Sequence, residues 1–287
     1  MTVSRLAPGV EIVAVPGLGV AVRTQDGEFL RVDTGEVAAE DLIGRFEGGP
    51  QGTPALENLV QAFESAGYAG SDDERPLEGR TVFLLGEATL TGRLARRIAA
   101  EGADVKHIGP DEVAAMSEKG PRQDVTAAVV WCLDSPVPDG LWEVADRLPE
   151  RGIGWLRCHR EGFQAWIEPL AAAPGDVTSA DVRLRRLAAT AAHRELAAYW
   201  AGSRSPESGG TGGEASAALI VELLTADLVA WAGGRHKAGR VPVRRRLRRV
   251  DLRDLTVTEH LVLPVPAVAP LHRPGTPATA GARGAAR

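Results

Sequence analysis

The sequence predicts an α/β protein in two parts. A small α+β module spans residues 1–70, and a Rossmann-type α/β domain follows over 80–266, after a linker at 71–79. Three observations predict this. Residues 8–33, "PGVEIVAVPGLGVAVRTQDGEFLRVD", hold Val- and Ile-rich runs broken by two glycine turns. Residues 80–109, "RTVFLLGEATLTGRLARRIAAEGADVKHIG", read as strand, glycine turn, amphipathic helix and strand. With 44% hydrophobic and 25% charged residues among 287, the chain has enough apolar surface for a substantial core.

In the first part, "PGLG" and "QDGE" separate three short strands, since glycine supplies the positive φ of tight hairpin turns. "GEVAAEDLIGRF" (35–46) places Val37, Leu42, Ile43 and Phe46 on one helical face. "EGGPQGT" breaks the chain, and Thr53, Pro54 and Glu57 then mark a helix start. Leu56, Leu59, Val60 and Phe63 make the stripe of that second helix, which Gly67 ends. Three strands and two helices resemble a winged helix. Its charge argues against DNA: residues 1–74 carry four Arg against thirteen Asp and Glu, a net of −9, which phosphates would repel.

In the second part, "TAAVVWCL" (126–133), "IGWLRCHREG" and "FQAWIEPL" read as strands, and "LWEVADRLPERG" (141–152) as a helix. One helix is expected over 180–200 and another over about 216–231, separated by a flexible Gly/Ser-rich loop at 202–215. Two late strands are expected near 243–250 and 255–263, with a disordered tail at 267–287. Residues 235–253 carry nine Arg and Lys against one Asp, a net of +8, and read as a solvated strand with its flanks.

The totals exclude several classes. A net charge of −5 favours neither nucleic acid nor membrane. Apolar runs such as "AALIVELL" (217–224) fall short of the roughly 20 residues a span needs. No signal-peptide pattern opens the chain, so a cytoplasmic location is expected. Two cysteines, Cys132 and Cys158, cannot build a disulfide framework or a four-thiolate zinc site. Cys132 reads as a core thiol, and Cys158 and His159 as neighbours pointing to opposite faces of a strand. The remaining histidines have no ligand-like spacing. No catalytic residue, metal or cofactor is therefore expected.

The turn Gly86-Glu87-Ala88-Thr89-Leu90-Thr91-Gly92 lacks the middle glycine of a dinucleotide fingerprint. Glu87 brings a carboxylate to where a phosphate would lie, and like charges repel at low dielectric. A Rossmann-like turn that binds no nucleotide is expected.

Taken in order, the segments "PGLGVAVR", "TVFLLGEATLTGRLARRIAAEGADV", "LPERGIGWLRCHREGFQAWIEPLAAAPGD" and "RVDLRDLTVTEHLVLPVPAVAP" resemble one family. It is the E1-like (ocin-ThiF-like) leader-peptide-binding partner of azole-forming YcaO cyclodehydratases, which carries an N-terminal RiPP recognition element. The resemblance implies a degenerate ThiF/E1-like second domain. It further implies a non-catalytic protein that binds the leader of a ribosomally made precursor and delivers it to a YcaO enzyme. Thiazoline or oxazoline formation would then occur in the partner. The leader would add as a strand along Glu28, Phe29, Leu30, Arg31 and Val32, with its side chains against Leu56, Leu59, Val60 and Phe63. Nucleic acid and membrane are not expected as partners, and a homodimer is left open.

Two departures accompany the resemblance. The family's cysteine pairs for structural zinc would fall in "DVTSADVR" (176–183) and "AVAPLH" (267–272), and neither contains a cysteine. Packing around Leu261, Val262, Leu263 and Val265 is then expected to hold the C-terminus. Recognition elements also show three helices after their strands, where two are legible here. The alternatives are a nucleotide-binding E1-like enzyme or oxidoreductase, a generic interaction scaffold, and a DNA-binding regulator. The last would need a basic recognition helix, and "ALENLVQAFESAG" has no Lys or Arg.

Overall fold

A computed structural model describes residues 4–71, 75–118, 126–138, 140–203, 213–234 and 241–266. The chain forms two compact units, Met1–Pro76 and Leu77–Arg287. The tail at 267–287, most of the 202–215 loop and the linker centre at 72–74 lie outside the described residues.

In the first unit, β1 (Ser4–Leu6) pairs antiparallel with β5 (Ala69–Ser71). Neither strand is among the three read from the sequence. Those three are β2 (Glu11–Val15), β3 (Gly19–Arg23) and β4 (Phe29–Val32), an antiparallel meander in that order. Helices α1 (Ala39–Phe46) and α2 (Pro54–Ser65) follow. The Thr53 hydroxyl caps α2 by accepting from Leu56 N at 3.3 Å, and Pro54 opens the helix. Glu57 turns outward, accepting from Gly52 N and from Arg45 Nε at 3.0 Å, and so ties α1 to α2. Val20, Val22, Leu42, Phe46, Val60 and Phe63 form the core.

The second unit is a seven-stranded mixed sheet. In chain order its strands are β6 (Thr81–Gly86), β7 (Asp104–His107), β8 (Ala127–Leu133), β9 (Gly154–Glu161), β10 (Gln164–Ile167), β11 (Arg246–Asp251) and β12 (Val257–Leu261). Across the sheet they run β12-β11-β10-β9-β8-β6-β7. β6, β7, β8 and β9 are parallel, and the rest are antiparallel. β8 is buried on both sides. Ala128, Val130 and Cys132 face α3 (Ala88–Ala100) and α7 (Glu214–Gly233), while Val129 and Trp131 face α4 (Pro110–Glu118) and the segment around Trp142. That is why "AAVVWCL" is a continuous apolar run instead of an alternating one.

Three expected elements differ. Residues 145–151 form a 3-10 turn, because Pro149 lacks the N–H an α-helix would use there. The helix expected over 180–200 is two, α5 (Ser179–Ala188) and α6 (His193–Trp200), interrupted where the Thr190 hydroxyl accepts from Ala192 N at 3.1 Å. The basic strand is solvated only in part, at Arg249. Arg246 and Arg248 of β11 are buried and pair with Asp227 of α7 and with Glu259. Residues 235–240 of that run lie outside the described residues.

At 20 residues, α7 is also the one helix among the described residues with the length and hydropathy of a membrane span. The sequence reading found no run that long. Its Ile220, Val221, Leu224 and Leu228 pack on the sheet, and Asp227 carries two guanidinium partners.

Candidate functional site

The first candidate is the free edge of the small meander. Among the described residues β4 pairs only with β3. Thr24 N donates to Glu28 O at 2.8 Å, and antiparallel pairs alternate. Leu30 and Val32 therefore continue the bonded pairs with Val22 and Val20, and the backbone groups of Phe29 and Arg31 point away from the sheet. Phe29 is 63% exposed and Leu30 40%; Glu28 and Arg31 are exposed as well. An unpaired ladder flanked by exposed apolar side chains can take another strand. β2 is the opposite edge of the same sheet and exposes neither of these side chains.

The helical half of the expected groove is a correction. Leu56, Val60 and Phe63 are core residues. Phe63 packs 5.3 Å from Phe46, tilted, and 6.4 Å from Tyr68, edge to face, ring centre to ring centre. Leu59 is half-buried against the same cluster. The apolar stripe of α2 is spent on α1 and β5, since a unit this small cannot close its core without it.

The second candidate is the crevice at the carboxyl ends of β6 and β8, where an open α/β sheet reverses its strand order. Gly86 sits at φ +108°, and a Cβ there would lie 1.8 Å from the Cys132 carbonyl oxygen, so only glycine fits. Glu87 caps α3: its carboxylate accepts from Thr89 N at 3.4 Å and from the Thr89 hydroxyl. The N–H that would meet a phosphate meets the chain's own anion. Gly92 has open space around it, unlike a glycine required for close helix–strand packing. A cavity of about 220 Å³ remains, crossed by the ion pairs Arg93–Glu214 and Arg160–Asp134.

The third candidate was not expected. A cavity of about 520 Å³ lies against β9, α5 and α6, walled by Trp142, Val182, Leu187 and Trp200. Its floor is charged. Arg157, His159 and Glu161 occupy alternate positions of β9 and so share one face, and Glu168 joins them beyond β10, donating its N–H to Arg157 O. Arg157 is wholly buried, with Nε 2.8 Å from Glu168 and one terminal nitrogen 3.2 Å from Asp146. Asp146 also accepts from Trp155 Nε1 and from the Ser179 hydroxyl at 2.6 Å. Glu161 accepts from His159 Nε2, from Arg186 and, at 2.7 Å, from Trp200 Nε1.

Burial alone would raise the Glu161 carboxyl, but the His159 hydrogen bond and Arg186 hold it well below the usual carboxylate range. An ionised Glu161 can only accept, so His159 Nε2 carries the hydrogen. Burial pushes Glu168 above the usual range, against the pull of Arg157 and His159. His159 Nδ1 is 3.7 Å from Glu168 and, like Trp142 Nε1, is buried without a hydrogen-bond partner. Alternation was the available signal: in "WLRCHRE" every second residue from Arg157 is charged or imidazole, while the opposite face carries Leu156, Cys158 and Arg160.

Cys132 and Cys158 sit opposite each other on β8 and β9, both free and buried on the α3/α7 face. The hydrogen bond with Cys132, and then burial, push the Cys158 thiol up. Among the described residues no three His, Cys, Asp or Glu side chains are grouped to hold a metal ion.

Around the first cysteine-free segment, at 176–183, polar ties hold the chain to β11's approach and to residues 263–265. Asp176 pairs with Arg244 and Arg245. Asp181 caps α5 and accepts from Val265 N at 2.9 Å, and Arg185 donates to the Leu263 and Pro264 carbonyls. The expected apolar hold is confined to Val262, packed with Val177, Val182 and Leu247, whereas Leu261, Leu263 and Val265 are exposed. The second cysteine-free segment, at 267–272, lies outside the described residues.

No family model matches the sequence, and no curated protein matches it. Solved structures do. A heterocyclase in complex with substrate and cofactor superposes with a TM-score of 0.57 at 12% identity, covering 90% of this chain and 38% of its own. The heterocyclase TruD gives 0.56 at 14%, covering 92% and 42%. E. coli MccB gives 0.54 at 10%, covering 92% and 95%. The chain thus spans about two fifths of the heterocyclases and nearly all of MccB. At these identities the likeness is one of fold: an α/β chain similar to MccB and to part of two heterocyclases.

Proposed function

We propose that this chain is a non-catalytic partner protein that binds a precursor leader peptide and presents the precursor to a YcaO cyclodehydratase. The observation that carries the reading is the open edge of β4, with the backbone groups of Phe29 and Arg31 unpaired and Phe29 and Leu30 exposed beside them. A leader adding there gains main-chain hydrogen bonds for affinity and side-chain contacts for specificity. In this reading the unit at 1–76 is a winged-helix-like recognition element and the second unit a ThiF-like platform.

Two further observations support it. Glu87 occupies the helix N-terminus that an adenylating enzyme would offer to phosphate, which favours leaving ATP chemistry to a partner. MccB, similar in fold, is described in complex with SeMet MccA. Tethering a leader raises the effective concentration of its core at the partner's active site, which is all a delivery protein needs to do. Such a protein would work in the cytoplasm.

The test is fluorescence anisotropy with a labelled leader from a short peptide encoded beside the gene. We expect saturable binding at about micromolar or tighter. Arg31→Pro removes one outward N–H and no bond to β3, so it should weaken binding at least about tenfold with an unchanged melting temperature. Binding indifferent to Arg31→Pro would discard the edge as the site. No binding to the folded wild-type chain would discard the function.

A further inference from the structure

The two edges of the seven-stranded sheet are finished differently. At one, β7 exposes Asp104, Lys106 and His107, and Asp104 pairs with Lys106 at 3.1 Å, a charged finish that discourages further strands. β12, at the other, has no strand beyond it among the described residues. Asp251 N donates to Thr256 O at 2.9 Å and Val262 N to Arg245 O at 2.8 Å, and antiparallel pairs alternate between those two. Thr258 and His260 are therefore bonded to β11, and the backbone groups of Val257, Glu259 and Leu261 point off the sheet. The open ladder stops at Val262, since Arg185 takes the Leu263 and Pro264 carbonyls and Asp181 the Val265 N–H. Five of the eleven exposed large apolar side chains among the described residues fall within 255–265, with Leu261 at 61%, so apolar surface is concentrated along this edge.

The two faces of β12 differ in chemistry. Val257, Glu259 and Leu261 lie opposite Val250, Arg248 and Arg246 on the α7 side, where Asp227 and Glu259 balance Arg246 and Arg248. On the other face Thr258 lies opposite Arg249, with His260 beside it. Arg249 is exposed and has no ion pair among the described residues, and only the small Thr258 separates it from the edge. We propose that β12 takes an added strand from another protein, an extended segment with apolar side chains beside Val257 and Leu261 and carboxylates beside Thr258 and His260. Main-chain hydrogen bonds to Val257, Glu259 and Leu261 hold it, apolar contacts cover the α7 side, and the carboxylates answer Arg249. A second copy of β12 fits badly, because antiparallel pairing over the three open positions sets Glu259 against Glu259. The chain's own residues 267–287 carry three Arg and no Asp or Glu, the wrong charge for this face. This inference does not rest on leader binding at β4.

The experiment is fluorescence anisotropy of the full chain with a labelled peptide carrying Val-Glu-Thr-Glu-Leu between Gly-Ser flanks, against a control with both glutamates replaced by lysine. We expect the acidic peptide to bind at about 100 µM and at least about tenfold tighter than the control, with the gap narrowing as salt rises. The chain's net charge of −5 favours the lysine peptide, so a preference for the acidic one reads the local site. Arg249→Glu should reverse that preference. Leu261→Pro removes an outward N–H and an exposed side chain and no bond to β11, so it should weaken the acidic peptide at least about tenfold with an unchanged melting temperature. In the wild type, hydrogen exchange over 256–262 should slow when the acidic peptide is added. Equal or stronger binding of the lysine peptide, no binding of the acidic one at about 1 mM, or unchanged exchange over 256–262 would each overturn the proposal. So would binding seen only in a chain ending at Pro266, which would assign the edge to the chain's own tail, or a wild-type dimer that Leu261→Pro dissolves, which would assign it to a second copy.

Discussion

Two concavities of the second unit, one under Glu87 and one under Glu168, each hold a carboxylate near the end of a sheet strand, yet the two carboxylates do opposite things. Glu87 is half-exposed and turns back on its own helix, where Thr89 N–H receives it. Its charge is answered locally, and the crevice beside it is left with paired ions. Glu168 is fully buried, shares one guanidinium with Asp146 and has His159 Nδ1 3.7 Å away, and burial outweighs both in raising its carboxyl. A carboxylate that caps a helix at the surface is answered by a backbone N–H group, whereas one buried in a charged network is pushed toward its protonated form. What differs is the supply of donors around each carboxylate.

Four variants break or sharpen this comparison. The largest effect belongs to Glu161→Gln, which strands Arg186 in a buried network and should cost about 3–5 kcal/mol at pH 7 by denaturant titration. The depressed carboxyl of Glu161 stabilises the fold above its unfolded value of about 4.3, and that stability is lost as pH falls below it. The gap between wild type and variant should therefore narrow toward acid. A constant gap would show that packing, and not charge, is what Glu161 contributes.

Glu168→Gln comes next, with the opposite sign. A carboxyl raised by burial favours folding while protonated and opposes it as pH climbs from about 4.3 through its folded value. The variant should melt near wild type at pH 4 and at or above it at pH 8. A variant melting far below wild type at pH 8 would mean that the pair with Arg157 outweighs desolvation.

Glu87→Ala removes a helix cap and should cost about 0.5–1 kcal/mol. It also frees the α3 N-terminus, so pyrophosphate should raise its melting temperature and leave the wild type unmoved. Arg31→Pro, smallest in stability, should leave the melting temperature unchanged, because its N–H points off the sheet.

Much of the fold is legible in the sequence because it depends on local patterns. The turns at "PGLG" and "QDGE", the cap Thr53–Pro54, the buried run of β8 and the glycine turn at Gly86 follow from neighbouring residues, and the structure shows each one. The candidate edge was also readable, as the third strand of the meander. The α2 stripe was misleading as a groove, because periodicity says which face is apolar and not what covers it. The same limit applies to the basic run. Nine cations against one anion look solvated until α7 brings Asp227 beneath Arg246 and Arg248.

The sequence by itself determined the two-part α/β organisation, the degenerate glycine turn with Glu87 in it, and the cysteine-free segments at 176–183 and 267–272. Each of these is a statement about residues close along the chain, where chirality, capping and turn chemistry act. Only the tertiary structure decided the partners of the charges. It brought Glu168 to Arg157 across a hairpin, carried Arg186 of α5 to Glu161 of β9, and set Asp181 under Val265. Ion pairs and cavities form between residues distant in sequence, and which charge meets which depends on how the layers stack.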